Sequence, residues 1–128
     1  MCSIDGDYPD IYRATDHVAR VQHKCIECGR TIEPGETYRR AFMVYEGAPE
    51  TFRTCAHCQV GQAWLAENCN MIAHGMLMDE MTEHAGYAPE NAFGFLRIKA
   101  GMLRKWKRFD GAGLMRHPPL PVAVGEYA

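Results

Sequence analysis

No apolar run in this 128-residue chain approaches the eighteen or so residues that a membrane-crossing helix needs, which argues against a transmembrane protein. The first sixteen residues contain no apolar stretch of signal length and carry Asp5, Asp7, Asp10 and Asp16, so the expected location is the cytoplasm. Neither sign of charge is in excess. Fourteen Lys and Arg face sixteen Asp and Glu, for a formal net charge of −2, which argues against a chain given over wholly to phosphate binding. Low-complexity tracts and internal duplications are missing too, and a chain of this length is expected to form one domain, residues 1–128, with a small core.

Cysteine, by contrast, is plentiful, with six in the chain. In a reducing compartment thiols serve as ligands, catalysts or core filler more often than as bridges. Four of them form two matching pairs, Cys25 and Cys28 in KCIECGR and Cys55 and Cys58 in RTCAHCQ, with 26 residues between Cys28 and Cys55. A two-residue gap lets both sulfurs turn toward one ion at about 2.3 Å, so the two pairs read as a four-thiolate zinc site holding one structural Zn²⁺. A redox dithiol would stand at the end of a strand in a βαβ unit, and no such pattern surrounds Cys55. His57 lies about 100° around a helix from each neighbouring cysteine and is read as an exposed bystander. His23 could ligate only by displacing a thiolate. Cys69 falls on the apolar stripe Leu65, Cys69, Ile72, Met76 and reads as a core thiol, while Cys2 carries no signal.

The length between the pairs must hold structure. Gly29 suits a tight turn whose N–H groups point at sulfur, and Glu33-Pro34-Gly35-Glu36 is a type II turn signal. Residues 38–45 alternate, with Tyr38, Arg40, Phe42 and Val44 on one face of a strand and Arg39, Ala41, Met43 and Tyr45 on the other. Glu46-Gly47-Ala48-Pro49 breaks that strand, and Thr51 to Thr54 is expected to return as a shorter one. Thr54 is then placed to cap a helix whose first turn contains Cys55, Ala56, His57 and Cys58, with the helix terminus offsetting thiolate charge.

A knuckle, a hairpin and a helix carrying the second pair resemble a treble-clef zinc finger over residues 24–68, about a third of the chain. CIECGRTIEPGETY followed by TFRTCAHC resembles small phage and prophage zinc-binding proteins with CxECGRxIxPGExY and TCxxC motifs and no assigned activity. The resemblance implies a metal site and a mobile-element origin, and brings no catalytic residue with it. Treble-clef nucleases hold their metal through a histidine-rich motif on the hairpin and helix. Here the hairpin has no histidine and the helix offers only His57 and His74, so four cysteines close the shell and the chain is not expected to be an enzyme.

Beyond the finger, residues 60–85 read as helix in two parts, interrupted near Asn68-Cys69-Asn70 and Gly75, and rich in methionine at Met71, Met76, Met78 and Met81. Pro89 opens a further helix expected over residues 89–109. One stripe of it is Ala92, Phe93, Leu96, Ala100 and Leu103 and the next is Phe95, Ile98, Met102, Trp106 and Phe109, so it is expected to be buried on two sides, against the rest of the chain or in a homodimer. The remaining strip holds Arg97, Arg104, Lys105 and Arg108. Residues 111–128, with Gly111, Gly113, Pro118, Pro119 and Pro121, read as an extended tail, and residues 1–23 as an extended leading segment.

The expected fold is α+β, a treble-clef finger followed by a small helical region over residues 69–110. A closed zinc staple leaves the surface free for recognition of a macromolecule. Nucleic acid is slightly favoured, through the basic helix and through Arg39, Arg40 and Arg53 of the hairpin. The alternative is a protein-protein interaction module or an inhibitor of a host protein, and a nuclease is the remote alternative.

Overall fold

A computed structural model of the protein describes residues 11–69, 74–85 and 92–116. The alternating segment forms β4, Thr37–Tyr45, and returns as β5, Ala48–Cys55. The reversal is tighter than its composition suggests. Glu46 and Gly47 both have positive φ, 50° and 80°, the geometry of a two-residue type I′ turn, so pairing resumes at once with Tyr45 opposite Ala48. Pro49 therefore lies within a strand, which it can do because β5 is an edge of the sheet.

The leading segment is not merely extended. Ile11–Val18 forms strand β1, antiparallel to β4 from Ile11 opposite Val44 to Val18 opposite Thr37. The sheet thus has three strands in the order β1-β4-β5. All eight residues of β1 are exposed, so this strand is held by its ladder of backbone hydrogen bonds and by little apolar burial. Between β1 and β4, β2 (His23–Lys24) and β3 (Thr31–Ile32) form a second, two-stranded antiparallel pair around the first cysteine pair. The turn at 33–36 takes the type II form, with Gly35 at φ 94° and the Glu36 N–H donating to the Glu33 carbonyl at 3.1 Å.

Three helices follow among the described residues: α1 (Cys58–Cys69), α2 (Leu77–Ala85) and α3 (Ala92–Leu103). They cross closely at Gly61, where a Cβ would come within 3.2 Å of side chains from both α2 (Met81, Leu77) and α3 (Ile98). The core fills the space between them with Trp64, Leu65, Leu77, Met81, Phe95, Ile98, Met102 and Trp106, and it is continuous with Cys25, Cys55 and Cys58. The methionines divide. Met81 is core, Met78 is half-buried against it, and Met76 is exposed. Cys2, Met71, Ile72 and the side chain of Cys69 lie outside the described residues, as do Pro89 and residues 117–128.

Helix α3 departs most from expectation. It ends at Leu103 in a Schellman closure: the Trp106 N–H reaches the Gly101 carbonyl at 2.6 Å and the Lys105 N–H the Met102 carbonyl at 2.9 Å. Lys105, at φ 53°, occupies the left-handed position that glycine usually takes, and Trp106 follows at φ 57°. Among the described side chains, Phe95, Ile98, Met102 and Trp106 of one expected stripe are buried, whereas Phe109 of that stripe and Leu96, Ala100 and Leu103 of the other are exposed. After the helix the chain turns back at once: Lys107 bridges Leu114, and the Met115 N–H donates to the Trp106 carbonyl. The stretch 104–116 is thus a closed return, anchored on the core through Trp106 and Met115 and otherwise mostly exposed.

Candidate metal centre and basic surface

Each cysteine pair is delivered by a different local device. Cys25 follows β2 and Cys28 lies in the loop before β3, where Gly29, at φ 77°, donates its N–H to the Cys25 carbonyl at 3.0 Å and not to a sulfur. Cys55 is the last residue of β5 and Cys58 the first of α1, with Ala56 and His57 turning between them. Thr54 therefore caps no helix; it is a buried strand residue whose hydroxyl accepts from Gln62 Nε2 at 3.3 Å. Strand pairing with Tyr38 fixes Cys55, and the helix start fixes Cys58.

The four sulfurs lie within 4.8 Å of one another, and Cys28 Sγ and Cys55 Sγ are 4.0 Å apart. Four ligands at about 2.3 Å from a tetrahedral ion stand about 3.8 Å from each other, so the donor set fits one metal ion with little adjustment. Cys25, Cys55 and Cys58 are buried and Cys28 half-buried, and none is in a disulfide. Neither His57 nor His23 belongs to the cluster. Thiols this close do not titrate alike. Hydrogen bonds from Cys28, Cys55 and Cys58 hold Cys25 far below the ordinary thiol range, whereas hydrogen bonds with its three neighbours push Cys58 far above it.

The surroundings compensate sulfur charge. Backbone N–H groups of Cys55 and Cys58 donate to Cys25 Sγ and Cys55 Sγ, both at 3.4 Å, and the indole N–H of Trp106 donates to Cys58 Sγ at 3.3 Å. Arg30 is 4% exposed and holds Glu36 through two bonds of 3.1 and 2.8 Å. Burial works against its charge, but the bonds to Glu36 and the nearby Cys55 outweigh that and keep its pKa raised. Glu27, between the first two cysteines, turns the other way: it accepts from the N–H groups of Gly75 (2.8 Å) and Leu77 (3.1 Å) at the start of α2. Burial nonetheless raises its pKa above the usual carboxylate range.

His57 is more than a bystander. It is half-buried, its Nε2 lies 2.9 Å from the Met115 carbonyl, and its ring packs 5.1 Å from that of Trp106. A carbonyl only accepts, so Nε2 carries the proton and ties the turn between Cys55 and Cys58 to the C-terminal return. The sequence signal for this was a histidine and a tryptophan 49 positions apart, which no local pattern connects.

The basic residues expected to share one helical strip do not. Arg97 is exposed on α3, but Arg104, Lys105 and Arg108 lie past its end. Arg104 stacks on Phe109, 3.4 Å from the ring centre, and donates to the Lys107 carbonyl, while Arg108 pairs with Asp110 at 3.1 Å. The hairpin arginines divide between the two faces of the sheet. Arg39 shares a face with Tyr12, Ala41 and Phe52 and pairs with Asp16 at 3.0 Å; His74 packs over Tyr12 and Phe52, and burial lowers its pKa. Arg40 and Arg53 stand directly opposite each other on the other face, joined by Arg13 of β1, which the sequence had not marked. That face also carries Ile11, Thr15, His17, Tyr38, Phe42, Val44, Pro49 and Thr51, and among the described strand residues it has no carboxylate.

Comparison with protein-family models, with curated proteins and with solved structures finds no match. No helix among the described residues is long and apolar enough to cross a membrane.

Proposed function

We propose that the protein is a nucleic-acid-binding module of treble-clef type, akin to the small phage proteins its motifs resemble, stapled by one structural Zn²⁺ on Cys25, Cys28, Cys55 and Cys58. Four thiolates leave no open position for water, which supports a structural metal and a role in binding over catalysis. The site is enclosed by the core, so recognition belongs to the surface.

The observation that carries the nucleic-acid reading is the cross-strand pair Arg40 and Arg53. Like charges placed opposite each other on a sheet cost stability, and the described strand residues of this face offer them no carboxylate. A polyanion would supply what the face lacks. The interface therefore centres on the sheet, with Arg13, Arg40 and Arg53, and not on the strip of Arg97, Arg104, Lys105 and Arg108. An electrophoretic titration with generic oligonucleotides at low salt tests this: binding tighter than about 10⁻⁴ M that weakens steeply with salt is expected. Salt-independent binding, or none, refutes it.

A further inference from the structure

Resting on that reading, we infer that the ligand is a single-stranded polynucleotide laid along the Arg13–Arg40–Arg53 face of the sheet, with an unpaired base on Phe42 and a phosphate in the pocket at His17, Arg20 and His23.

The face is ordered along the strands. Inside an apolar end row of Ile11, Val44 and Pro49, the first polar row sets Arg13 beside Phe42 and Thr51; the next sets Thr15, Arg40 and Arg53 side by side; the third sets His17 beside Tyr38, with Cys55 beyond it. Successive rows lie about 6.8 Å apart, twice the rise per strand residue. Past the third row opens a pocket of about 450 Å³ lined by His17, Val18, Arg20, His23 and Tyr38. The Tyr38 ring is buried there, with the His17 and His23 rings 5.9 and 5.1 Å from it, so the two imidazoles are held in place at the pocket rim. Beyond an apolar end row of Ile11, Val44 and Pro49, cationic and hydrogen-bonding groups thus run from Arg13 to the pocket. Asp16 and Glu50 project to the opposite face, and Glu46 sits in the turn beyond the end row.

Width decides between single and double strands. A major groove about 12 Å wide admits a helix or a two-stranded ribbon, whereas three strands spaced about 4.8 Å apart, with arginines on both outer strands, are too broad to enter it. A paired duplex also keeps its base faces hidden. Phe42, half-buried between Arg13 and Thr51, presents a ring of the kind on which unpaired bases stack.

The test measures fluorescence anisotropy of labelled dT12, U12 and a 12-base-pair duplex against the zinc-loaded protein at about 50 mM salt. Expected is single-strand binding at least tenfold tighter than duplex binding, with the DNA and RNA arms separating the two sources of the strand. Phe42→Ala should weaken single-strand binding about tenfold at an unchanged salt slope. Arg40→Gln with Arg53→Gln should lower that slope by about 1.4, two phosphates at about 0.7 each. Zinc content and melting temperature of each variant confirm that it folds. Duplex binding equal to or tighter than single-strand binding overturns this inference while leaving the nucleic-acid reading intact. No binding to any of the three overturns both. Single-strand binding that survives all three sheet substitutions and is lost in Arg97→Gln with Arg104→Gln overturns the assignment to this face.

Discussion

At the scale of single residues, Trp106 decides more than its position suggests. Its body fills the core, its N–H rests on a ligand sulfur, and its ring lies so close to Gly101 that a Cβ there would meet it at 2.3 Å. Groups that hydrogen-bond to a ligand orient it and disperse its charge, and losing one typically costs ten- to a hundredfold in metal affinity. Trp106→Phe keeps the aromatic body and removes the donor. Loaded with zinc, this variant should bind the ion about tenfold more weakly or worse against a competing chelator, with the protein still folded, as followed by a chromogenic zinc indicator. Unchanged affinity would reduce Trp106 to a packing residue. None of this is legible in the sequence, whose periodicity places Trp106 on the apolar face of a helix that in fact stops three residues earlier. A glycine past Leu103 would have marked that stop; the chain instead forces Lys105 into the left-handed region, which propensity does not announce.

At the scale of elements, the parts that local chemistry specifies were readable. The cysteine spacing, the proline-glycine turn at 33–36 and the face alternation of β4 all follow from residues adjacent in sequence, and all stand in the structure. Strand β1 is hard to read in the sequence because its pairing with β4 is non-local and none of its own residues is fully buried, so it leaves little hydrophobic pattern. The attachment of α2 is also non-local. This short helix has its leading N–H groups held by Glu27 from the loop of the first cysteine pair, so a carboxylate 48 residues upstream of Gly75 does the work of a cap. Glu27→Ala should lower stability by about 1–2 kcal/mol in urea denaturation, the usual effect of losing a cap, with zinc stoichiometry unchanged. Glu27→Gln keeps one acceptor oxygen and should lose less. A Glu27→Ala protein as stable as the parent would show that α2 is held by its apolar face alone.

For the whole molecule, the cysteine cluster is where separate elements meet. The first pair brings the β2–β3 loop, the second joins β5 to α1, Glu27 brings α2, and Trp106 brings the end of α3 and the return behind it. Removing the ion should therefore not melt a finger and leave a helical remainder. A strong chelator is expected to unfold the chain in one transition that coincides by far-ultraviolet circular dichroism and near-ultraviolet signal, reversed by adding zinc, because the binding free energy of such sites is folding free energy. Two separated transitions would mean that the helices fold without the metal.

The two tryptophans, Trp64 and Trp106, are both fully buried, and the ring nitrogen of Trp106 rests on Cys58 Sγ. A Trp64→Phe protein would hold a single fluorophore whose N–H senses the charge on Cys58. Its emission would then serve as an internal gauge of metal loading, readable on the purified protein without any added dye.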